Sequence, residues 1–176
     1  LPKGTFFLVD TQVTHSPCAE ELAEMTMLSA DFVRRFGETP KIALLSHSNF
    51  GADDTPDAQK MRDALKILRD RAPDLEVEGE MQADAAIDEE VRNRIFPNSK
   101  LSGMANLLVF PSLDAANIAL NLVKVMTDSL HVGPILLGTA KPVHILTPSV
   151  TSRGVVNMSA FAAVEACTRK RELLAG

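Results

Sequence analysis

"TPKIALLSHSNFGADDTPDAQKMRDALKIL", residues 39–68, decides the fold. Pro40 precedes a short apolar run, Lys41 to Leu45, which reads as a strand. The run ends at Ser46-His47-Ser48, and the loop Ser46 to Pro56 is rich in Ser, Asn, Gly and Asp. Thr55-Pro56 opens a helix, because Thr caps a helix start and Pro fits the first helical position. Met61, Ala64, Leu65 and Leu68 then recur on one helical face, and Pro73 marks the end. Strand, polar loop, helix is the repeating unit of open α/β sheets, and the loop beyond the strand end is where such sheets bind ligands.

The alternation continues in both directions. Thr5 to Val9 reads as a strand and Asp10 to His15 as a polar connection. Ser16-Pro17 reads as the start of a helix carrying Leu22, Met25, Phe32, Val33 and Phe36, with Gly37 as its stop. On the other side, Leu75 to Val77 reads as a weak strand, and Ala85 to Ile95 as a helix cut off by Pro97. Leu107 to Phe110 is apolar throughout and reads as a central strand. Pro111-Ser112 leads into a helix with Ile118, Leu122, Val125 and Met126. Leu130 to Gly138 holds Gly133-Pro134 and reads as a tight loop or short helix. Pro142 to Leu146 reads as one more strand, and Val155 to Leu174 as the last helix. The expected fold is α/β, a mainly parallel sheet sandwiched between helices. Met25, Met27, Met61 and Met126 fall on apolar helical faces and are expected to fill the core.

The composition excludes several classes of function. The chain has 176 residues, 45% of them hydrophobic, which suits one ordinary globular domain. A net charge of -5 without a basic run, and no Trp or Tyr, argue against nucleic acid and anionic membranes as partners. No apolar stretch reaches the length of a membrane span. The two cysteines, Cys18 and Cys167, are far apart and form no Cys-x-x-Cys, so they suggest neither zinc nor a redox pair and fit a reducing cytoplasm. A strand that begins within the first residues, with no initiator Met, is expected of a piece of a longer chain.

No nucleotide-binding or hydrolase signature occurs: G-x-x-x-x-G-K-[ST], G-x-G-x-x-G, His-Glu-x-x-His and G-x-S-x-G are all missing. The polar loops remain. In Ser46-His47-Ser48-Asn49-Phe50-Gly51 the hydroxyls and backbone N–H groups suit a phosphate, and the plainer alternative is a polar turn with a solvated His. His15, His47, His131 and His144 show no metal-ligand spacing, and His144 is expected to be hydrogen-bonded and structural. Asp84 and Asp88 read as a helix cap and a first-turn acid rather than as an acid–base pair. Arg169-Lys170-Arg171 reads as a solvated helix end.

Several stretches together resemble one family. "AEELAEMTMLSADFVRRFGETPKIALLSHS" from Ala19, "GEMQADAAI" from Gly79, "LSGMANLLVFPSLDAANIALNL" from Leu101 and "GPILLGTAKPV" from Gly133 are similar, in order, to the phosphate acetyl- and butyryltransferases. The resemblance implies an isopropylmalate-dehydrogenase-like fold. It departs from the pattern at one place. After Lys-Pro-Val the working transferases carry Asn-Asp-Leu-Ser-Arg-Gly, whose Arg binds phosphate and acyl oxygen. Counted without gaps, this chain has His144, Ile145, Leu146, Thr147, Pro148 and Ser149, so proline stands in the place of the arginine. A Ser152-Arg153-Gly154 triplet follows five residues later and would need compensating gaps.

A transferase-like sequence with this departure resembles the C-terminal domain of bacterial hybrid NADP-dependent malic enzymes. That implies the following expectations. Residues 1–176 are a piece of the transferase-like domain, mostly its second subdomain plus the C-terminal helix. This piece has no catalytic residues and needs no metal or cofactor of its own. NADP and a divalent metal belong to the malic enzyme half, outside the chain. Acetyl-CoA is the expected effector, and self-association into dimers or higher oligomers is the expected assembly. The candidate ligand-binding residues are Ser46, His47, Ser48, Asn49, Asn117, Thr147, Ser149, Ser152 and Arg153. The alternatives are an active phosphate acyltransferase that uses Arg153, and a purely structural oligomerisation domain.

Overall fold

A computed structural model describes residues 4–127, 130–146, 148 and 150–175, with the side chains of 169–175 left aside. The chain divides into two units, Leu1–Asp128 and Ser129–Gly176.

The first unit is built on a four-stranded sheet of order β1-β4-β2-β3, parallel throughout. β1 is Phe7–Val9, β2 Lys41–Leu45, β3 Glu76–Met81 and β4 Leu107–Val109. The chain crosses from β1 through α1 (Ala19–Arg35) to β2, and from β2 through α2 (Pro56–Arg71) to β3. It then returns through α3 (Ala83–Ile87) and α4 (Glu89–Ile95) to insert β4 between β1 and β2. This reversal puts the helices on opposite faces. Ile42 and Leu44 of β2 pack with Leu22 and Val33 of α1 and Met61 and Leu68 of α2. Ala43 and Leu45 face the other way, with Ala85 and Ala86 of α3 and Ala116 of α5 (Leu113–Met126). A central parallel strand buried on both faces is uninterrupted in its hydrophobicity, as the Lys41–Leu45 run is.

Several elements differ from expectation. α1 starts at Ala19 rather than after Ser16, because the Cys18 N–H donates to Glu21 Oε2 at 2.8 Å and closes the helix start there. The helix expected over Ala85 to Ile95 is two helices broken at Asp88. The Asp88 carboxylate caps α4 by accepting from the Glu90 and Val91 N–H groups, and Asp84 lies in the first turn of α3, the reverse of the expected roles. β3 is six residues long and buried although it reads Glu-Val-Glu-Gly-Glu-Met.

α5 presents Ala115, Ala116 and Ala119 to the sheet. Small residues permit close approach, and the larger apolar face turns outward. Ile118, Leu122, Val125 and Met126 are exposed, and Met126, at 79%, is not core filler. Met61 is fully buried, and Met25 and Met27 pack partly buried against the same core.

The second unit holds an irregular segment and α6, Ser152–Ala175. Residues 130–138 form a loop, within the expected alternatives. The strand expected at Pro142 to Leu146 does not form. A strand exists only with a ladder partner, and Val143, Ile145 and Leu146 are exposed rather than paired within a sheet. His144 is held inward as expected of a structural residue. Its Nδ1 accepts from the Leu136 N–H at 3.4 Å, and its ring meets Phe161 edge-on and lies 3.5 Å from Glu165 Oε2. The basic charges expected at Arg169-Lys170-Arg171 lie outside the described side chains.

Candidate functional site

Because every strand runs the same way, the β1–α1, β2–α2 and β4–α5 connections meet at one carboxyl edge of the first unit. Hydrogen bonds join them there. The Phe110 N–H donates to the Val9 carbonyl, and the Leu113 N–H to the carbonyl of His15. Asn117 Nδ2 donates to the Thr11 carbonyl at 3.2 Å, and Lys60 Nζ of α2 to the Pro111 carbonyl at 2.9 Å. The Asp10 carboxylate organises the first loop by accepting from the N–H groups of Gln12, Val13 and Thr14. Helices leave β4 and its neighbours toward opposite faces, so this edge holds the topological switch where open α/β sheets bind their ligands.

Ser46, His47, Ser48 and Asn49 form the centre of this edge. Ser46 Oγ accepts from the Ser48 N–H at 3.1 Å. Ser48 Oγ donates to Glu80 Oε1 at 2.7 Å and accepts from the Asp53 N–H at 3.1 Å. The Asn49 side chain pairs with Gln82 in both directions, at 2.8 and 3.0 Å, and Gln82 Nε2 donates to the His47 carbonyl. The His47 ring stays more than half exposed, with Nε2 3.4 Å from both Asp53 Oδ2 and Thr55 Oγ1. The Thr55 N–H, with the His47 ring beside it, holds the Asp53 carboxyl below the usual aspartate range.

Phe50 and Gly51 both take positive φ, 49° and 87°. The Phe50 N–H donates to the backbone carbonyl of Glu80 and the Gly51 N–H to its carboxylate at Oε1, at 2.8 and 2.9 Å. Arg62 Nη1 closes the arrangement on the same oxygen at 2.9 Å, and the Arg62 guanidinium also reaches the Asp53 carbonyl and Asp54 Oδ1. Glu80 is fully buried.

Thr147 and Ser149 lie outside the described residues, and Pro148 between them is exposed. Ser152 and Arg153 are exposed in the first turn of α6, in the second unit. Among the described residues neither serine hydroxyl is bonded to His47, and the Ser48 hydroxyl is engaged by the Glu80 carboxylate instead. No group of three or more His, Cys, Asp or Glu side chains could hold a metal among the described residues. Glu80 and Arg62 went unnoticed in the sequence, since a glutamate within a strand and an arginine within an amphipathic helix both read as solvated.

An all-parallel sheet with helices on both faces and a polar, internally bonded loop cluster at its switch point defines an open α/β unit. More particularly, the chain belongs to the phosphate acetyl/butaryl transferase family, which matches it over residues 1–163. It is 63% identical over 163 residues to an NAD-dependent malic enzyme of Rhizobium meliloti, covering 93% of this chain and 21% of that protein. It is 53% identical to the NADP-dependent malic enzyme of Escherichia coli, covering 96% of this chain and 22% of that one. Among solved structures, the EutD phosphotransacetylase from Staphylococcus aureus is 34% identical with a TM-score of 0.83, over 93% of this chain and 53% of that one. The chain thus spans about a fifth of the malic enzymes it matches and about half of that phosphotransacetylase.

Proposed function

We propose that this chain is the transferase-like regulatory part of a malic enzyme, that it binds acetyl-CoA without converting it, and that binding controls oxidative decarboxylation of malate to pyruvate by the remainder of the protein. One observation carries the reading: counted without gaps from Lys141, Leu146-Thr147-Pro148-Ser149 stand in the place that the resemblance gives to Leu-Ser-Arg-Gly of the working transferases. Acyl transfer between a thiol and phosphate builds negative charge on oxygen, and removing one preorganised donor costs ~10²–10³ in rate. Proline has no donor to put in its place. Recognition of the thioester asks less than stabilising its transition state, so binding can survive the loss.

The greater identity to malic enzymes than to the phosphotransacetylase supports the same assignment. The candidate contacts within the first unit are the Ser46–Asn49 loop and Asn117. NADP and a divalent metal would serve the malic enzyme part. The exposed apolar stripe on α5 supports self-association, and the exposed free thiols of Cys18 and Cys167 support a reducing cytoplasm. An effector acts only through differential affinity for two states.

The test is malate oxidation by the full-length protein, with NADP and with NAD, against acetyl-CoA concentration. A saturable change in rate is expected, with no acetyl phosphate formed from acetyl-CoA and phosphate. A rate indifferent to acetyl-CoA would end the regulatory reading. Acetyl phosphate formation that disappears in Arg153→Ala would establish the transferase alternative.

A further inference from the structure

Beside the Gln82 contacts to His47 and Asn49, the Ser46–Asp53 loop is held from below by Glu80. Glu80 Oε1 accepts from Ser48 Oγ, the Gly51 N–H and Arg62 Nη1, at 2.7, 2.9 and 2.9 Å, and its carbonyl accepts from the Phe50 N–H. Arg62 then carries the same charge network out to the Asp53 carbonyl and Asp54. The bonds reach both ends of the turn that Phe50 and Gly51 make in the left-handed region. That conformation is costly for Phe50, which has a Cβ, and it persists only where the surroundings over-determine it. Glu78, two residues earlier on the same strand, is equally buried and equally paired, to Arg69 at 2.9 Å. Its carboxylate also accepts from the Gly79 and Lys100 N–H groups, away from the ligand loop.

We propose that Glu80 is a positioning residue for the ligand site: its carboxylate, locked by Arg62, casts the β2–α2 loop in its binding shape before any ligand arrives. The proposal rests on the reading of this loop as part of the acetyl-CoA site. It makes Glu80 and Glu78 a matched pair. Both are buried glutamates with an arginine partner, but only one touches the loop. Replacing Glu80 by glutamine keeps the shape of the side chain and an oxygen where Ser48, Gly51 and Arg62 all converge on Oε1. It removes the charge that strengthens those bonds and pairs Arg62, and it puts an amide donor at the buried Oε2 position, which has no hydrogen-bond partner among the described residues. If the loop then holds its competent shape a tenth of the time, the apparent Kd rises about tenfold.

The experiment is calorimetric titration of the full-length protein with acetyl-CoA, with thermal unfolding measured on the same samples, for wild type, Glu80→Gln and Glu78→Gln. Amide exchange is followed in peptides covering residues 46–53. Both variants are expected to unfold earlier. Only Glu80→Gln is expected to weaken acetyl-CoA about tenfold and to speed exchange at Phe50 and Gly51. Equal affinity loss in the two variants, or none in Glu80→Gln, overturns the positioning role while leaving the site reading intact. A wild-type protein that binds no acetyl-CoA overturns the site reading, and the positioning role with it. Should Glu80→Gln fail to fold, Arg62→Lys decides: it keeps a cation but loses the planar fork that joins Glu80 to Asp53 and Asp54. Weaker acetyl-CoA binding and faster exchange at Gly51 uphold the proposal, and unchanged values refute it.

Discussion

Replacing Arg92 by methionine tests how this small sheet is braced on its second face. Arg92 of α4 is completely buried, yet its guanidinium serves three carbonyls: Nη1 donates to Ala85 at 3.0 Å, and Nη2 to Leu101 at 2.9 Å and to Gly103. These bonds tie α3, α4 and the segment before β4 into one body. Hydrogen bonds from a charged donor contribute about 1.5–3 kcal/mol each. Three such bonds would sum to more than is lost, because the variant no longer has to strip water from a guanidinium. Methionine also fills most of the volume. The net loss expected is about 3 kcal/mol, which at about 2–4 °C per kcal/mol for a chain of this length lowers Tm by roughly 6–12 °C. Thermal unfolding of the chain followed by circular dichroism at neutral pH measures it. A midpoint within about 2 °C of the parent would refute the reasoning, since the three carbonyls would then have found water at little cost.

Further outcomes follow from the same geometry. Gly79→Ala should cost about 2–3 kcal/mol in urea unfolding, because a Cβ there would lie 2.7 Å from the Leu44 carbonyl oxygen at a φ of +149°. An unchanged urea midpoint would show that β2 and β3 are free to separate. Leu44→Ala, in the fully buried centre of β2, should lose about 2–5 kcal/mol by the same assay. For Asp53 the folded carboxyl titrates below its unfolded value, so the turn it holds with Thr55 is fully stabilised above the ordinary aspartate range and is lost as pH falls through the lowered value. Carboxyl NMR of Asp53 should find that lowered midpoint in the wild type and a rise toward the ordinary value in Thr55→Pro, which removes the donating N–H. An ordinary midpoint in the wild type would contradict the turn.

Much of the fold was legible because local signals agreed with the global arrangement. Lys41–Leu45 and the Thr55-Pro56 helix start match the structure, since an apolar run bounded by turn residues and a cap followed by proline are local devices. Where the reading failed, the deciding interaction lay elsewhere in the chain. Glu76–Met81 was cut short because its glutamates read as solvated, yet Glu78 and Glu80 are neutralised by Arg69 and Arg62 on α2, 9 and 18 residues earlier. Pro142–Leu146 was given too much weight, because hydrophobicity proposes a strand but only a neighbour makes one. On α5 the large apolar residues were expected inward, whereas the alanines set the packing distance. The Ser46–Asn49 loop could be found from its place after a strand. The buried carboxylate beneath it could not, because Ser48 and Glu80 stand 32 residues apart.

The insertion of β4 between β1 and β2 has a consequence for synthesis on the ribosome. Among the described residues β1 pairs with β4 alone, through Phe7–Leu107, Leu8–Leu108 and Val9–Val109. The nascent chain must therefore carry Phe7, Leu8 and Val9 without their ladder partner until residue 109 has been made, an interval on the order of ten seconds at ordinary translation speed. β2, α2 and β3 can associate well before that. β1 is thus translated ahead of β2, β3 and β4 but pairs into their sheet only once β4 has been made.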